Sequence, residues 1–167
     1  MELRVYPDPI LSKKCEEVEN GDESAVEFLD KMIACMDKYS AGGFAAPQFG
    51  VLKRMIVTIA SRDEPDDIYK MINPKIVWKS ESLIEACEGC ISVGVHVNVV
   101  RHELISVEYL NEKFEKCTIE KTTNPYLQHE IDHLDGILNI DRLSRLKRAS
   151  ALRKLKKIRE EGADVEE

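Results

Sequence analysis

The chain has 167 residues, 43% hydrophobic and 33% charged with few Pro and Gly, which is enough apolar material for one domain over residues 1–167 and excludes a disordered, collagenous or repeat architecture. A formal charge of −7 and the lack of eighteen consecutive apolar residues argue against DNA as a partner and against a membrane span. The first residues form neither a basic region nor an apolar run, and five cysteines are an odd number, so a reducing, cytoplasmic setting is expected.

Residues 3–18, with Pro7 and Pro9 and little periodicity, predict an extended arm laid over the domain. Val26, Leu29, Met32, Ile33 and Met36 recur at helical spacing, and Ser24 with Glu27 makes a capping box, so a helix is predicted from about residue 25 to about Tyr39. The run from Ala41 through Gly42, Gly43, Phe44, Ala45, Ala46, Pro47, Gln48 and Phe49 to Gly50 is small enough for another backbone to approach. It is either a flexible connector or the wall of a peptide site, and its apolar middle favours the wall. Segments 54–60, 69–72, 75–78, 83–86, 95–100, 104–110 and 115–121 are rich in β-formers. They predict mostly antiparallel strands, with an acidic loop at 63–67, a break at Pro74 and a turn at 111–113. Cys15, Cys35 and Cys117 read as small core residues.

A second helix is bounded by Asn124 as N-cap, Pro125 at the first helical position and Gly136 as its stop. Within it His129 and His133 lie roughly 40° apart around the axis, Glu130 stands to one side, and Leu127, Ile131 and Leu134 form an apolar back. An H-E-x-x-H helix packed on one side and bearing imidazoles on the other is a metal-hydrolase signature, with the glutamate free to hold a water. Leu143, Leu146, Ala149, Leu152, Leu155 and Ile158 then recur every third residue and predict a closing amphipathic helix. Residues 142–159 carry nine Lys or Arg and no acid, either a solvated face or a polyanion contact. The order reads as α+β, with antiparallel β-sheets packed around a central metal-binding helix, an N-terminal helix and a C-terminal amphipathic helix.

Two histidines need a third protein ligand. The metzincin pattern would place a third histidine where Asn139 stands, and a zincin would draw a glutamate from residues 142–159, which contain none. The ligand must lie upstream. His96 and His102 are candidates inside strands, but Cys90, following Gly89 and preceding an apolar strand, is the better one. Cys87 is then a neighbour, and a candidate disulfide partner for Cys90 under oxidation.

Gly43-Phe44-Ala45-Ala46-Pro47-Gln48, Glu88-Gly89-Cys90-Ile91-Ser92 and Gln128-His129-Glu130-Ile131-Asp132-His133-Leu134, in that order, closely resemble the three signature motifs of peptide deformylases. Pro7-Asp8-Pro9-Ile10-Leu11 and Ile72-Asn73-Pro74-Lys75-Ile76 extend the resemblance over almost the whole chain. It implies a metal-dependent hydrolase that removes formate from the formyl-methionine of newly made chains. A water on the ion would attack the formyl carbon, with Glu130 as general base and then acid. The resemblance further implies Cys90, His129 and His133 as ligands of one divalent ion, Fe(II) first and zinc, nickel or cobalt as substitutes. It implies the Gln48 amide and the Ile91 N–H as oxyanion donors. Gly42, Gly43, Phe44, Gly89 and Ile91 would hold the peptide, and Glu88 and Arg101 would pair behind the metal. Ala41, Phe44, Ile91 and Gly94 depart from the family's usual residues, which bears on pocket shape rather than on the reaction. The basic C-terminal helix is a candidate contact with the ribosome. The alternatives are a zinc endopeptidase of the H-E-x-x-H class and a binding module with a purely structural metal.

Overall fold

The computed structural model describes residues 1–60 and 67–162, so residues 63–66 of the acidic loop expected at 63–67 lie outside the described residues. Among the described residues three α-helices, α1 (Glu23–Tyr39), α2 (Pro125–Leu134) and α3 (Arg145–Glu160), accompany seven strands. These are β1 (Gly43–Ala45), β2 (Met55–Ile59), β3 (Ile68–Lys79), β4 (Leu83–Cys90), β5 (Val95–His102), β6 (Ile105–Leu110) and β7 (Lys116–Thr122). All strand pairs are antiparallel: β1-β2-β3-β6-β7 form one sheet and β4-β5 a second, so the class is the expected α+β.

Apolar periodicity explains the packing. Leu29, Met32 and Met36 of α1 bury against Phe44, Val57 and Ile72. The back of α2, formed by Leu127, Ile131 and Leu134, buries against Ile56, Met71 and Val107. Alternation along β5 turns Val95, Val97 and Val99 inward onto Leu138, Ile140, Ala151 and Leu155. Thus α2 is clasped between the two sheets, with its back to the larger one.

The structure departs from the sequence expectations at several points. The N-cap of α1 is Asp22, whose carboxylate accepts from Ser24 N, because an acid before the first turn competes well with a serine inside it. Pro74 does not divide two strands. Asn73 at φ +52° opens a register shift in β3 that accommodates the missing N–H, and its side chain exchanges two hydrogen bonds with the backbone of Val18. The every-third-residue stripe of α3 drifts off the buried face of a 3.6-residue helix, so Leu146 is 84% exposed while Ala151 and Leu155 are buried. Cys117 is half-exposed on β7 rather than core. No helix among the described residues is long and apolar enough to cross a membrane.

The arm does more than pack. Arg4 N donates to Gln48 O at 2.7 Å, Tyr6 N to Ser92 O at 2.7 Å and Cys15 N to Leu134 O at 2.8 Å, which ties together three segments distant in sequence. Gly136 lets it pass: at φ +73°, a Cβ there would stand 2.6 Å from Ser12 O. Gly136→Ala therefore combines left-handed strain with a backbone clash, and a loss of about 1–3 kcal/mol is expected in denaturant unfolding. An unchanged midpoint would show that the arm does not press on this turn.

Candidate metal centre

Helix α2 is short and fixed at both ends. Asn124 caps it by accepting from Tyr126 N at 2.9 Å and donates to Ile59 O at 2.8 Å and Ala60 O at 2.9 Å. At the other end Arg54 bonds Leu134 O and the carboxylate of Asp135. Held this way, the helix points His129 and His133 at the inner face of β4. Alternation on that strand puts Glu88 and Cys90 on the buried face. The potential ligand atoms of Cys90, His129 and His133 lie within 4.8 Å of one another, all three residues buried, with Cys90 Sγ 3.4 Å from His133 Nε2. His96 and His102 do not join them: His96 crosses the outer face of Gly89, and His102 Nδ1 bonds Ser80 O at 2.7 Å.

Behind the cluster runs a chain of charges. His129 Nδ1 donates to Glu88 Oε2 at 2.8 Å, which fixes its ring and leaves Nε2 for a ligand role. Glu88 is gripped by Arg101 at 2.6 and 2.9 Å, and Arg101 also bonds Asp132 at 2.6 Å. Arg142 closes the network on Asp132. The expected Glu88–Arg101 pair is present and buried. Asp132 and Arg142 were missed, and their sequence signal is faint: an acid on the inner face of α2 and a cation just after the following turn.

The protonation pattern fits a cation. Burial would raise the Glu88 carboxyl, but hydrogen bonds from His129 and Arg101 outweigh it and hold it low. Burial, with His129 and Arg101 adding, drives His133 well below its ordinary value, so it offers a neutral ring. His129 is raised well above its ordinary value because hydrogen bonds with Cys90 and Glu88 outweigh burial. A pocket that draws a proton onto one of its own donors favours positive charge, and one thiol with two imidazoles suits Fe(II) or zinc.

Glu130 is 3% exposed, and burial pushes its carboxyl up to about 7, with His129 opposing and Glu88 adding. Its Oε2 has no hydrogen-bond partner. Gly43 leaves room for the other oxygen, since a Cβ there would meet Glu130 Oε1 and Val57 O, each at 2.9 Å. Gln48 accepts from Ala45 N at 2.8 Å through Oε1 and donates from Nε2 to Ser92 Oγ at 3.0 Å, leaving one amide proton uncommitted.

These groups open on a cavity of about 490 Å³ lined by Gly42, Gly43, Gln48, Gly89, Ile91 and Glu130 among others. Phe44 lines it too, but its ring is fully buried between Tyr39 and Phe49, so it can offer a ligand little more than its backbone. Tyr126 was not anticipated. Its ring fills the space that a Gly42 side chain would occupy, with a Cβ there 2.7 Å away. Cys87 is exposed and Cys90 buried, three positions apart and so on opposite faces of β4. That implies a Cα separation of about 10 Å, which puts a disulfide between them out of reach.

Residues 1–149 match the family model described as polypeptide deformylase. The chain is 41% identical over 160 residues to the peptide deformylase of Thermodesulfovibrio yellowstonii, covering 93% of this chain and 96% of that one. It is also 41% identical over 164 residues to the peptide deformylase of Rickettsia akari, covering 92% and 93%. The crystal structure of the Ehrlichia chaffeensis peptide deformylase in complex with actinonin superposes with a TM-score of 0.85 at 36% identity, over 94% of this chain and 96% of that one. With its antiparallel sheets, its clasped histidine helix and a thiol brought to it from mid-chain, this chain belongs to the polypeptide deformylase family.

Proposed function

We propose that residues 1–167 form one catalytic domain that hydrolyses the formyl group from the N-terminal formyl-methionine of newly made polypeptides in the cytoplasm, releasing formate. The observation that carries this reading is the buried Cys90-His129-His133 cluster with the unpartnered Glu130 Oε2 beside it, at the wall of a peptide-sized cavity. Cys90, His129 and His133 would hold a divalent ion, Fe(II) first and zinc, nickel or cobalt as substitutes, which would supply Lewis acidity that makes water a stronger acid.

The chain's own groups do the rest. Glu130 takes the proton from the attacking water and hands it to the leaving amine, a task open to a carboxyl whose Oε2 has no other partner. The uncommitted Gln48 amide proton and the Ile91 N–H stabilise the oxyanion that develops at the formyl oxygen. Gly42, Gly43 and the Phe44 backbone on one side, and Gly89 and Ile91 on the other, hold the peptide as an added strand. The endopeptidase alternative lacks support, because Asn139 stays outside the cluster and residues 142–159 contain no carboxylate.

Glu130→Gln should retain metal and fold while losing about 10²–10⁴-fold in formate release from a formyl-methionyl peptide. Activity near that of the unaltered enzyme in the metal-loaded variant would remove Glu130 from this role, and internal cleavage of casein would favour the endopeptidase. Chelation should abolish formate release, and Fe(II) under anaerobic conditions should restore it. Gly43→Ala pushes on Glu130 Oε1, so kcat should fall with metal content unchanged.

On α3 the buried residues are Ala151 and Leu155, and Arg145, Lys147, Arg153 and Lys154 are exposed. We infer that this face contacts ribosomal RNA by charge. Replacing these four by Gln should leave the melting temperature and formate release intact while weakening co-sedimentation with ribosomes, most visibly at low salt. Unchanged co-sedimentation would rule this contact out.

A further inference from the structure

His129 and His133 both face the cluster, but only His129 has its second ring nitrogen satisfied, by Glu88 at 2.8 Å. His133 Nδ1 is buried without a partner. Because His133 Nε2 faces Cys90 Sγ at 3.4 Å, a ring bound to metal through Nε2 carries its proton on Nδ1, and that N–H needs an acceptor.

Only two buried side-chain acceptors among the described residues are unpartnered, Glu130 Oε2 and Asn139 Oδ1. Glu130 faces the substrate cavity. Asn139 is 1% exposed, in the short helical turn Asn139–Arg142 that follows α2. Its Nδ2 lies 3.4 Å from Glu88 O, so the amide is held against β4 two residues from Cys90. His133 meets that strand at Cys90 itself. Both residues thus abut β4 within two positions of each other, and each brings a complementary orphan atom to that part of the interior. Direct contact is not made, and a 1% exposed amide oxygen with no bond is otherwise a pure cost.

We propose that Asn139 is a positioning residue for the metal centre, its Oδ1 accepting, through one buried water, the proton that His133 carries on Nδ1. The two imidazoles would then have different outer partners, a carboxylate behind His129 and a neutral amide behind His133. A carboxylate donates more charge through a ring than an amide does, so the donor set is graded rather than symmetrical. This rests on the metal reading of the Cys90-His129-His133 cluster.

The test uses the zinc-loaded, full-length protein, which is diamagnetic and open to NMR. The expected result is a slowly exchanging, hydrogen-bonded His133 Nδ1–H with a through-space contact to a long-lived water that also touches the Asn139 side chain. In Asn139→Leu that signal should shift or vanish, and zinc release to a chelator should speed up roughly 10–100-fold. A His133 Nδ1–H that exchanges freely in the unaltered protein, or that contacts some other acceptor, overturns the proposal even if the variant fails to fold. So does a folded Asn139→Leu variant with the same ring signal and the same release rate. Failure of the unaltered protein to bind zinc would instead remove the metal reading itself.

Discussion

One buried guanidinium sets the geometry on which everything else rests. Arg101 is 4% exposed, on the strand opposite the ligand cysteine's strand, and it holds one carboxylate from β4 and one from α2. Removing Arg101 would leave the Glu88 carboxylate in a dry interior without its cationic partner, at about 3–5 kcal/mol for such pairs. The network fixes how far the small sheet stands from the histidine helix. The same distance decides whether Cys90 Sγ and the two imidazoles can share one ion. The acids do double duty, since Glu88 also sets the ring orientation of His129.

Around this lock the rest of the chain acts as bracing. The larger sheet backs α2 with apolar side chains, Arg54 and Asn124 pin its ends, and the arm's backbone bonds reach Gln48, Ser92 and Leu134. None of these braces is an active group, but each holds an element that carries one. That is the arrangement expected of a site whose groups must be placed to within fractions of an ångström.

The sequence made the helices, the antiparallel strands and the two histidines legible, because 3.6- and 2-residue periodicities and the H-E-x-x-H spacing are local signals, while Cys90 was reached by elimination of downstream ligands and by the resemblance of the second motif. What it hid depends on contacts between distant residues. Pro74 looked like a strand break because the bulge that accommodates it needs Asn73 to reach Val18. The regular stripe of α3 overstated its buried face, since a repeat of three cannot follow a turn of 3.6. Asp132, Arg142 and Tyr126 were invisible because each meets a partner far along the chain or fills space another residue vacates, and Asn139 stood out only as a missing histidine, not for its contact with Glu88 O.

The placement of Cys87 and Cys90 on opposite faces of one strand has a chemical cost. A sulfenic acid formed on Cys90 would find no neighbouring thiol to condense with, since Cys87 faces away, Cys15 and Cys35 are sealed in other apolar clusters and Cys117 lies on β7 of the other sheet. Oxidant damage would then climb toward sulfinic and sulfonic acids, from which a hydrolase has no return. The fold offers no repair for its sulfur, so the enzyme's working life is set by how well burial and the surrounding redox poise shield that one atom.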